Sequence, residues 1–189
     1  MKTKRIISLI ALMGLFISPV LAQEKSPINW IDIQEVDKTL KNNDSKKRIF
    51  IDSYTDWCGW CKKMDKDTFA DSLISKIMNH YFISVKFDAE SKGDIIFGGK
   101  TYKNTNPNGR RSAHQLAYHL LNNRLSYPSY TVLNSDLSIA TIIPGYYPPS
   151  AFEAMAVFLG GEYDKKYSWE DFQKIYEKEI KPELLKALE

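Results

Sequence analysis

Residues Trp57-Cys58-Gly59-Trp60-Cys61 constrain this chain more than any other segment, because they hold both of its cysteines, three positions apart. Two cysteines exclude a disulfide-rich scaffold. The pair lies where a short apolar run of strand length, Ile49 to Tyr54, gives way to the helical pattern Lys62-Lys63-Met64-Asp65-Lys66-Asp67-Thr68-Phe69. A cysteine at a helix N-terminus meets unpaired backbone N–H groups and the positive end of the helix dipole, and both favour thiolate over thiol. Cys58 is therefore the expected nucleophile, and Cys61, one turn on and further from solvent, is placed to attack a mixed disulfide formed at Cys58. A zinc site competes poorly, since there is no second CxxC and His80, His114 and His119 lack ligand spacing. Covalent haem attachment requires histidine after the second cysteine, and Lys62 stands there. As a purely structural bond, a four-residue loop restricts the unfolded chain by only about 2 kcal/mol, against roughly 3 for a 15-residue loop. Redox chemistry is the better use of the pair.

Charge narrows the partners. The 26 Lys and Arg exceed the 23 Asp and Glu only because Lys2, Lys4 and Arg5 precede the first acid, Glu24. The rest of the chain is neutral, which gives no electrostatic reason to expect nucleic acid or an anionic surface. The basic start, the apolar run Ile6 to Ile17 and Ser18-Pro19-Val20-Leu21-Ala22 form a secretory signal pattern, with cleavage expected before Gln23. The apolar run falls short of the roughly 20 residues that span a bilayer, although an uncleaved anchor is the alternative. Export leads to a compartment where disulfides are made and exchanged.

Helical spacing of Trp30, Ile33, Val36 and Leu40 predicts a first amphipathic helix. Asp71 or Ser72 caps a helix through Ile74, Ile77 and Met78, and Tyr81 to Asp88 reads as a strand. Ile95 to Tyr102 predicts a hairpin turning at Gly98-Gly99, Asn104 to Gly109 is turn-rich, and Ser112 to Leu121 predicts a helix. Tyr130 to Asn134 and Ile139 to Ile143 flank Ser135-Asp136 as a second hairpin, and Ser150 to Leu159 supplies a further helix. Ser168 and Asp171 form a capping box for a helix carrying Phe172, Ile175, Tyr176 and Ile180, which Pro182 interrupts or restarts. Gly99-Lys100-Thr101 is no phosphate loop, because Asp94 stands where GxxxxGK[ST] needs glycine. Arg110-Arg111 reads as a solvated pair.

Ile51-Asp52-Ser53-Tyr54-Thr55-Asp56-Trp57-Cys58-Gly59-Trp60-Cys61-Lys62 resembles the active-site region of the thioredoxin family. The continuation through Phe69 is most similar to exported thioredoxin-like proteins and to the periplasmic C-terminal domain of the thiol-disulfide interchange reductase DsbD. The resemblance implies an α/β thioredoxin fold: a central mixed sheet flanked by helices, with an insertion over about 89–126 before a cis-proline loop. It divides the chain into a signal peptide, 1–22, a thioredoxin-like domain, 23–161, and a C-terminal helical extension, 162–189. Asp52, six residues before Cys58, matches the family's buried acid, whose burial raises its pKa toward useful acid–base behaviour. Tyr127-Pro128 matches the cis-proline loop and Gly145 a glycine near the active-site surface; with Trp57, Gly59 and Trp60 they are the expected substrate-binding residues. Tyr146 and Tyr147 are further candidates for framing the groove. The family's lysine on the next strand aligns with Ser84, with Lys86 two residues along.

The resemblance also implies a function, an exported and periplasmic reductase of protein disulfides whose only redox group is the Cys58–Cys61 couple. Its partners are protein disulfides and a membrane-embedded electron donor, without metal or nucleic acid. The Gly59-Trp60 dipeptide departs from the Gly-Pro of thioredoxin and the Pro-His of strong oxidants, and lack of that histidine favours a reductant. Oxidation or isomerisation by the same pair, and a binding module with dispensable cysteines, are the alternatives.

Overall fold

Every residue of the strand leading to the cysteines except its last is buried, so it runs through the middle of the molecule. A computed structural model describes residues 28–42 and 46–189; the signal pattern at 1–22 lies outside the described residues. Strand β1 (Trp30–Asp32) leads through a 3-10 turn, Ile33–Glu35, into α1 (Val36–Asn42). Then come β2 (Arg48–Tyr54), α2 (Gly59–Asp67), α3 (Ser72–Tyr81) and β3 (Phe82–Asp88). The small hairpin β4 (Ile95–Phe97) and β5 (Lys100–Tyr102) and the helix α4 (Gln115–Leu120) precede β6 (Ser129–Leu133) and β7 (Ile139–Pro144). The chain ends in α5 (Pro149–Gly160), α6 (Trp169–Ile175), a wide π-type turn Tyr176–Ile180 and α7 (Lys181–Ala187).

The main sheet has the order β1-β3-β2-β6-β7, with β1, β3 and β2 parallel and β6 and β7 antiparallel. Because β2 is central, its alternate side chains feed two cores. Phe50 joins Met64, Phe69, Tyr130, Phe152 and Phe172 on one face, and Ile49 and Ile51 join Val85, Phe87, Leu116 and Leu120 on the other. The segment between β3 and β6 is therefore structural: Ile95, Phe97, Tyr102, Leu116 and Leu120 supply much of the second core. Its hairpin turns on Gly98 and Gly99, both at positive φ (60° and 72°), and their N–H groups donate to the Asp37 carboxylate at 2.8 and 2.9 Å. That turn conformation suits glycine, and the clasp ties the hairpin to α1.

Trp30 does not begin a helix. It lies in β1, opposite Ser84 of β3, and Asp32 accepts the Gln34 N–H at 2.9 Å, so helical winding starts only after it. The indole packs edge-on against Phe69, 5.1 Å between centroids. The helix expected over Ser112 to Leu121 starts at Gln115, because buried His114 caps it by accepting the Leu116 N–H at Nδ1 (3.1 Å). The Nε2 position lies 3.0 Å from Gly93 O, which fixes a neutral ring with Nε2–H donating. Asp71 caps α3 through the Leu73 and Ile74 N–H groups, and Pro182 falls in the first turn of α7, where it restarts the helix. Phe172, Tyr176 and Leu184 bury the C-terminal helices in the first core. Among the described residues no helix is long and apolar enough to cross a membrane.

One buried cation anchors the C-terminal half of the chain to the start of β2. Arg48 makes two hydrogen bonds to the Asp164 carboxylate (2.7 and 3.0 Å), one to Leu159 O (2.8 Å) and one to Asn134 Oδ1 (3.2 Å). Removing it strands a half-buried carboxylate and a buried carbonyl. Arg48→Met is expected to lower unfolding stability by about 3 kcal/mol in urea titrations, and Arg48→Lys to recover only part of the loss, because one ammonium cannot reproduce the fork. An unchanged midpoint in Arg48→Met would contradict this assignment.

Candidate redox site

The strand β2 ends at Tyr54, and the Cys58 N–H donates to Thr55 O at 3.0 Å, turning the chain into α2. Cys58 is the N-cap of α2, with extended φ and ψ of −75° and 101°. Its Sγ accepts the Cys61 N–H at 3.0 Å, so the sulfur occupies the position of a capping oxygen. No acidic side chain lies in the first turn of α2, which leaves the positive end of the helix to the sulfur. In the structure Cys58 and Cys61 are joined as a disulfide, with Cα atoms 5.3 Å apart. Cys61 is no more shielded than Cys58, their exposures being 4% and 3%. The asymmetry between them lies in hydrogen bonding, since Cys58 receives the helix N–H, a bond that strengthens when the sulfur becomes a thiolate.

Asp52 points from β2 onto the same sheet face as Phe50, and it is 2% exposed. Its register partner on β3 is Lys86, whereas Ser84 pairs with Phe50. The lysine is thus two residues beyond the position expected from sequence. Lys86 Nζ donates to Asp52 Oδ2 at 2.6 Å and also forms an ion pair with Asp65 of α2. It lies 4.8 Å from the Trp30 ring centroid and 5.3 Å from that of Phe69. Burial pushes the Asp52 carboxyl from 3.8 up to about 6; Lys86 opposes the rise and Asp65 adds slightly to it. For Lys86, burial works downward, but the two carboxylates outweigh it and the net direction is up. Asp52 Oδ1 and the hydroxyl of Tyr130, its register partner on β6, are both buried without a hydrogen-bond partner.

The other side of the site is the loop before β6. The Tyr127–Pro128 peptide bond is cis, and Pro128 O accepts the Gly145 N–H at 2.8 Å, so these positions meet in one loop pair. Gly145 has φ +101°, a conformation L side chains rarely adopt. Tyr127 packs edge-on against Trp57 at 6.1 Å, and burial pushes its phenol up to about 12. The Trp57 indole N–H donates to Glu90 Oε1 at 3.0 Å, and the Arg111 guanidinium lies 4.4 Å above its ring. Arg111 is therefore not simply solvated. Trp57 and Trp60 remain 47% and 59% exposed, and Trp60 leans on Tyr146 at 5.5 Å. The Tyr146 hydroxyl is tied to Asp67 at 3.1 Å, and the Tyr147 hydroxyl to Pro144 O at 3.2 Å. A Cβ on Gly59 would meet open space, which puts that position on the free surface.

The structure thus brings together Trp57, Cys58, Cys61 and Tyr127-Pro128 with Gly145, and sets Asp52 beneath α2. Asp65, Glu90 and Tyr130 are not singled out as site residues by the sequence, Lys86 enters there only as the residue two positions beyond Ser84, and Arg111 reads as solvated. Strand register with Asp52 would have found Lys86 and Tyr130; the contacts of Glu90 and Arg111 with Trp57 have no local signal. Among the described residues no group of three or more His, Cys, Asp or Glu side chains is arranged to hold a metal ion.

A cysteine-containing strand-to-helix turn, a buried acid and a cis-proline loop on this sheet define a thioredoxin-fold protein with a CxxC disulfide. Residues 15–151 match the family Thioredox_DsbH, described as a protein of unknown function, DUF255, and the chain belongs to that family. Two solved structures share the fold at a TM-score of 0.50. One is a thioredoxin-fold protein from Helicobacter pylori, 18% identical, aligned over 68% of this chain and 79% of that one. The other is a DsbH oxidoreductase, 14% identical over 78% and 94%. Among curated proteins, an uncharacterized protein of Caenorhabditis elegans is 33% identical over 79 residues, and human spermatogenesis-associated protein 20 is 32% identical over 81. The match takes in 41% of this chain but only 11% and 10% of those relatives.

The buried acid gives a pH signature. Below about pH 3 Asp52 is protonated folded and unfolded alike. As pH rises toward 6 the unfolded chain ionises it freely while the folded chain resists, so the wild-type protein loses stability across that window. Asp52→Asn removes the penalty. The oxidised variant is expected to exceed wild type by on the order of 3 kcal/mol above pH 7, with the gain vanishing below about pH 3. Denaturant titrations across pH test this, and a gain independent of pH would contradict the assigned charge burial.

Proposed function

We propose that this protein is an exported thiol–disulfide oxidoreductase that works mainly as a reductase of protein disulfides. The observation that carries the reading is Cys58 Sγ serving as the N-cap of α2 and accepting the Cys61 N–H. A thiolate there is held by the helix N-terminus and by a directed backbone donor. Membership of the family, and the fold shared with an oxidoreductase of that name, support the same chemistry.

In the proposed cycle the Cys58 thiolate attacks one sulfur of a substrate disulfide. A Cys58–substrate bond forms, and the other substrate sulfur leaves as a thiolate that takes a proton from water. Asp52, ionised at neutral pH because its pKa is about 6, accepts the Cys61 proton. The Cys61 sulfur then attacks Cys58 Sγ and releases the second substrate sulfur. Two electrons pass to the substrate and the protein is left as the disulfide present in the structure. Lys86, bridging Asp52 and Asp65, limits how far the acid's pKa rises. Trp57, Gly59, Trp60, Tyr127, Pro128 and Gly145 form the surface that receives the substrate.

The reductive direction is supported by the Gly59-Trp60 dipeptide, which adds no cation to stabilise the Cys58 thiolate. Such a protein must be re-reduced. The signal pattern at 1–22 supports work in a periplasm, where a membrane-embedded donor is the proposed electron source.

The two cysteines are assigned different roles, and trapping separates them. With a disulfide-bonded protein substrate, Cys61→Ser is expected to accumulate a covalent complex through Cys58 that dithiothreitol dissolves, and Cys58→Ser to give little or none. Non-reducing electrophoresis and intact mass report the adduct. Equal trapping by both variants would contradict the assignment, and no trapping by either would leave the binding-module reading in its place.

A further inference from the structure

The segment between β5 and α4 ends in a loop built around one buried side chain, Asn104. Its Nδ2 donates to Ser91 O (3.0 Å) and Ser112 O (2.8 Å), and its Oδ1 accepts the Asn106 N–H (3.0 Å) and the Ser112 hydroxyl (2.9 Å). Both donors of that amide are used and its oxygen accepts twice. The Gly109 N–H closes onto Asn106 O at 2.8 Å. Arg110 and Arg111 follow, both exposed. Arg111 holds a left-handed φ of 56°, a conformation that costs a residue with a Cβ and persists where its surroundings demand it.

This braced loop delivers a guanidinium to 4.4 Å from the ring of Trp57, the residue before Cys58. A cation–π contact uses the charge of the guanidinium but none of its five N–H donors. Among the described residues neither Arg110 nor Arg111 has a carboxylate partner or a hydrogen bond through its side chain. The neighbouring acids are otherwise engaged: Glu90 accepts the indole N–H, and Asp88 accepts the Glu90 N–H at 2.9 Å. Asp56, on the β2–α2 turn, is exposed. An arginine with free donors, fixed on the aromatic lip of a disulfide site, matches a carboxylate that can accept two parallel N–H bonds.

We propose that Arg111, with Arg110 beside it, is a recognition site for a carboxylate side chain flanking the cysteine of a protein disulfide, so that the 89–126 segment selects acidic-flanked substrates. The proposal rests on the redox reading of Cys58 and Cys61 and names the substrate class for that site.

Three cyclic disulfide peptides that differ only in Glu, Gln or Lys beside one cysteine test it. Stopped-flow tryptophan fluorescence gives the second-order rate of each with the reduced full-length protein, and bis(2-hydroxyethyl) disulfide serves as an uncharged substrate. Wild type is expected to favour the Glu over the Lys peptide by about fivefold at low salt, with the ratio shrinking as salt rises. Normalised to each protein's own rate with the Gln peptide, Arg111→Glu is expected to reverse the order and Arg111→Gln to flatten it. Reaction with the uncharged disulfide but equal rates for all three peptides, or an order unchanged in Arg111→Glu, would overturn the proposal alone. Failure of the reduced wild-type protein to react with any disulfide would overturn the redox reading and the proposal with it.

Discussion

A carboxylate held out of water against one lysine is the constraint around which this site is organised. Asp52 occupies a strand whose other side chains are almost all buried, and Lys86 reaches it from the next strand in direct register. Burying an isolated carboxylate is costly, and the usual remedies are a cation or a proton. Here both are partly used, because Lys86 is shared with Asp65 on α2 and the Asp52 carboxyl rises to about 6. The result is an acid close to half-ionised at mildly acidic pH, set below the helix whose first residues carry the cysteines. Trp30 and Phe69 pack around the lysine, so the edge strand β1 helps to set the electrostatics of the site through its contact with Lys86.

The cysteines draw on a second source of polarity, the N-terminus of α2. Cys58 Sγ takes the place of a capping oxygen, and backbone geometry alone supplies the donor. The acid and the thiolate-stabilising device are independent in origin, one from side-chain burial and one from main-chain dipoles, and both involve α2, the first through Asp65 and the second at its N-terminus. Around them the segment between β3 and β6 does two jobs. Its hairpin and helix α4 fill the second core, and its loops bring Glu90 and Arg111 to Trp57.

How much of this could be read in the sequence depended on whether the determining contacts were local. The β2–α2 turn, the Asp71 cap, the Gly98-Gly99 hairpin and the Pro182 restart all follow from neighbours in the chain, and all are present. Tyr127-Pro128 and Asp52 were legible through family resemblance. Trp30 was misread because three residues of edge strand carry too few positions to separate period two from helical spacing; pairing with β3 decides it. Lys86 was legible only as a neighbour of the aligned Ser84, because alignment does not reveal strand register and a shift of two keeps the same face. Arg111 was read as solvated because its contact with Trp57 spans more than fifty residues and depends on a loop shaped by Asn104.

The equilibrium reduction potential of the Cys58/Cys61 couple tests the central claim most directly, by titrating the protein in defined thiol–disulfide buffers with tryptophan fluorescence as the signal. A reductase whose Cys58 thiolate is stabilised by a helix N-terminus but by no neighbouring histidine is expected near −270 mV, the roughly known value for thioredoxin. A potential near the roughly −120 mV of DsbA would contradict it and make the protein an oxidant.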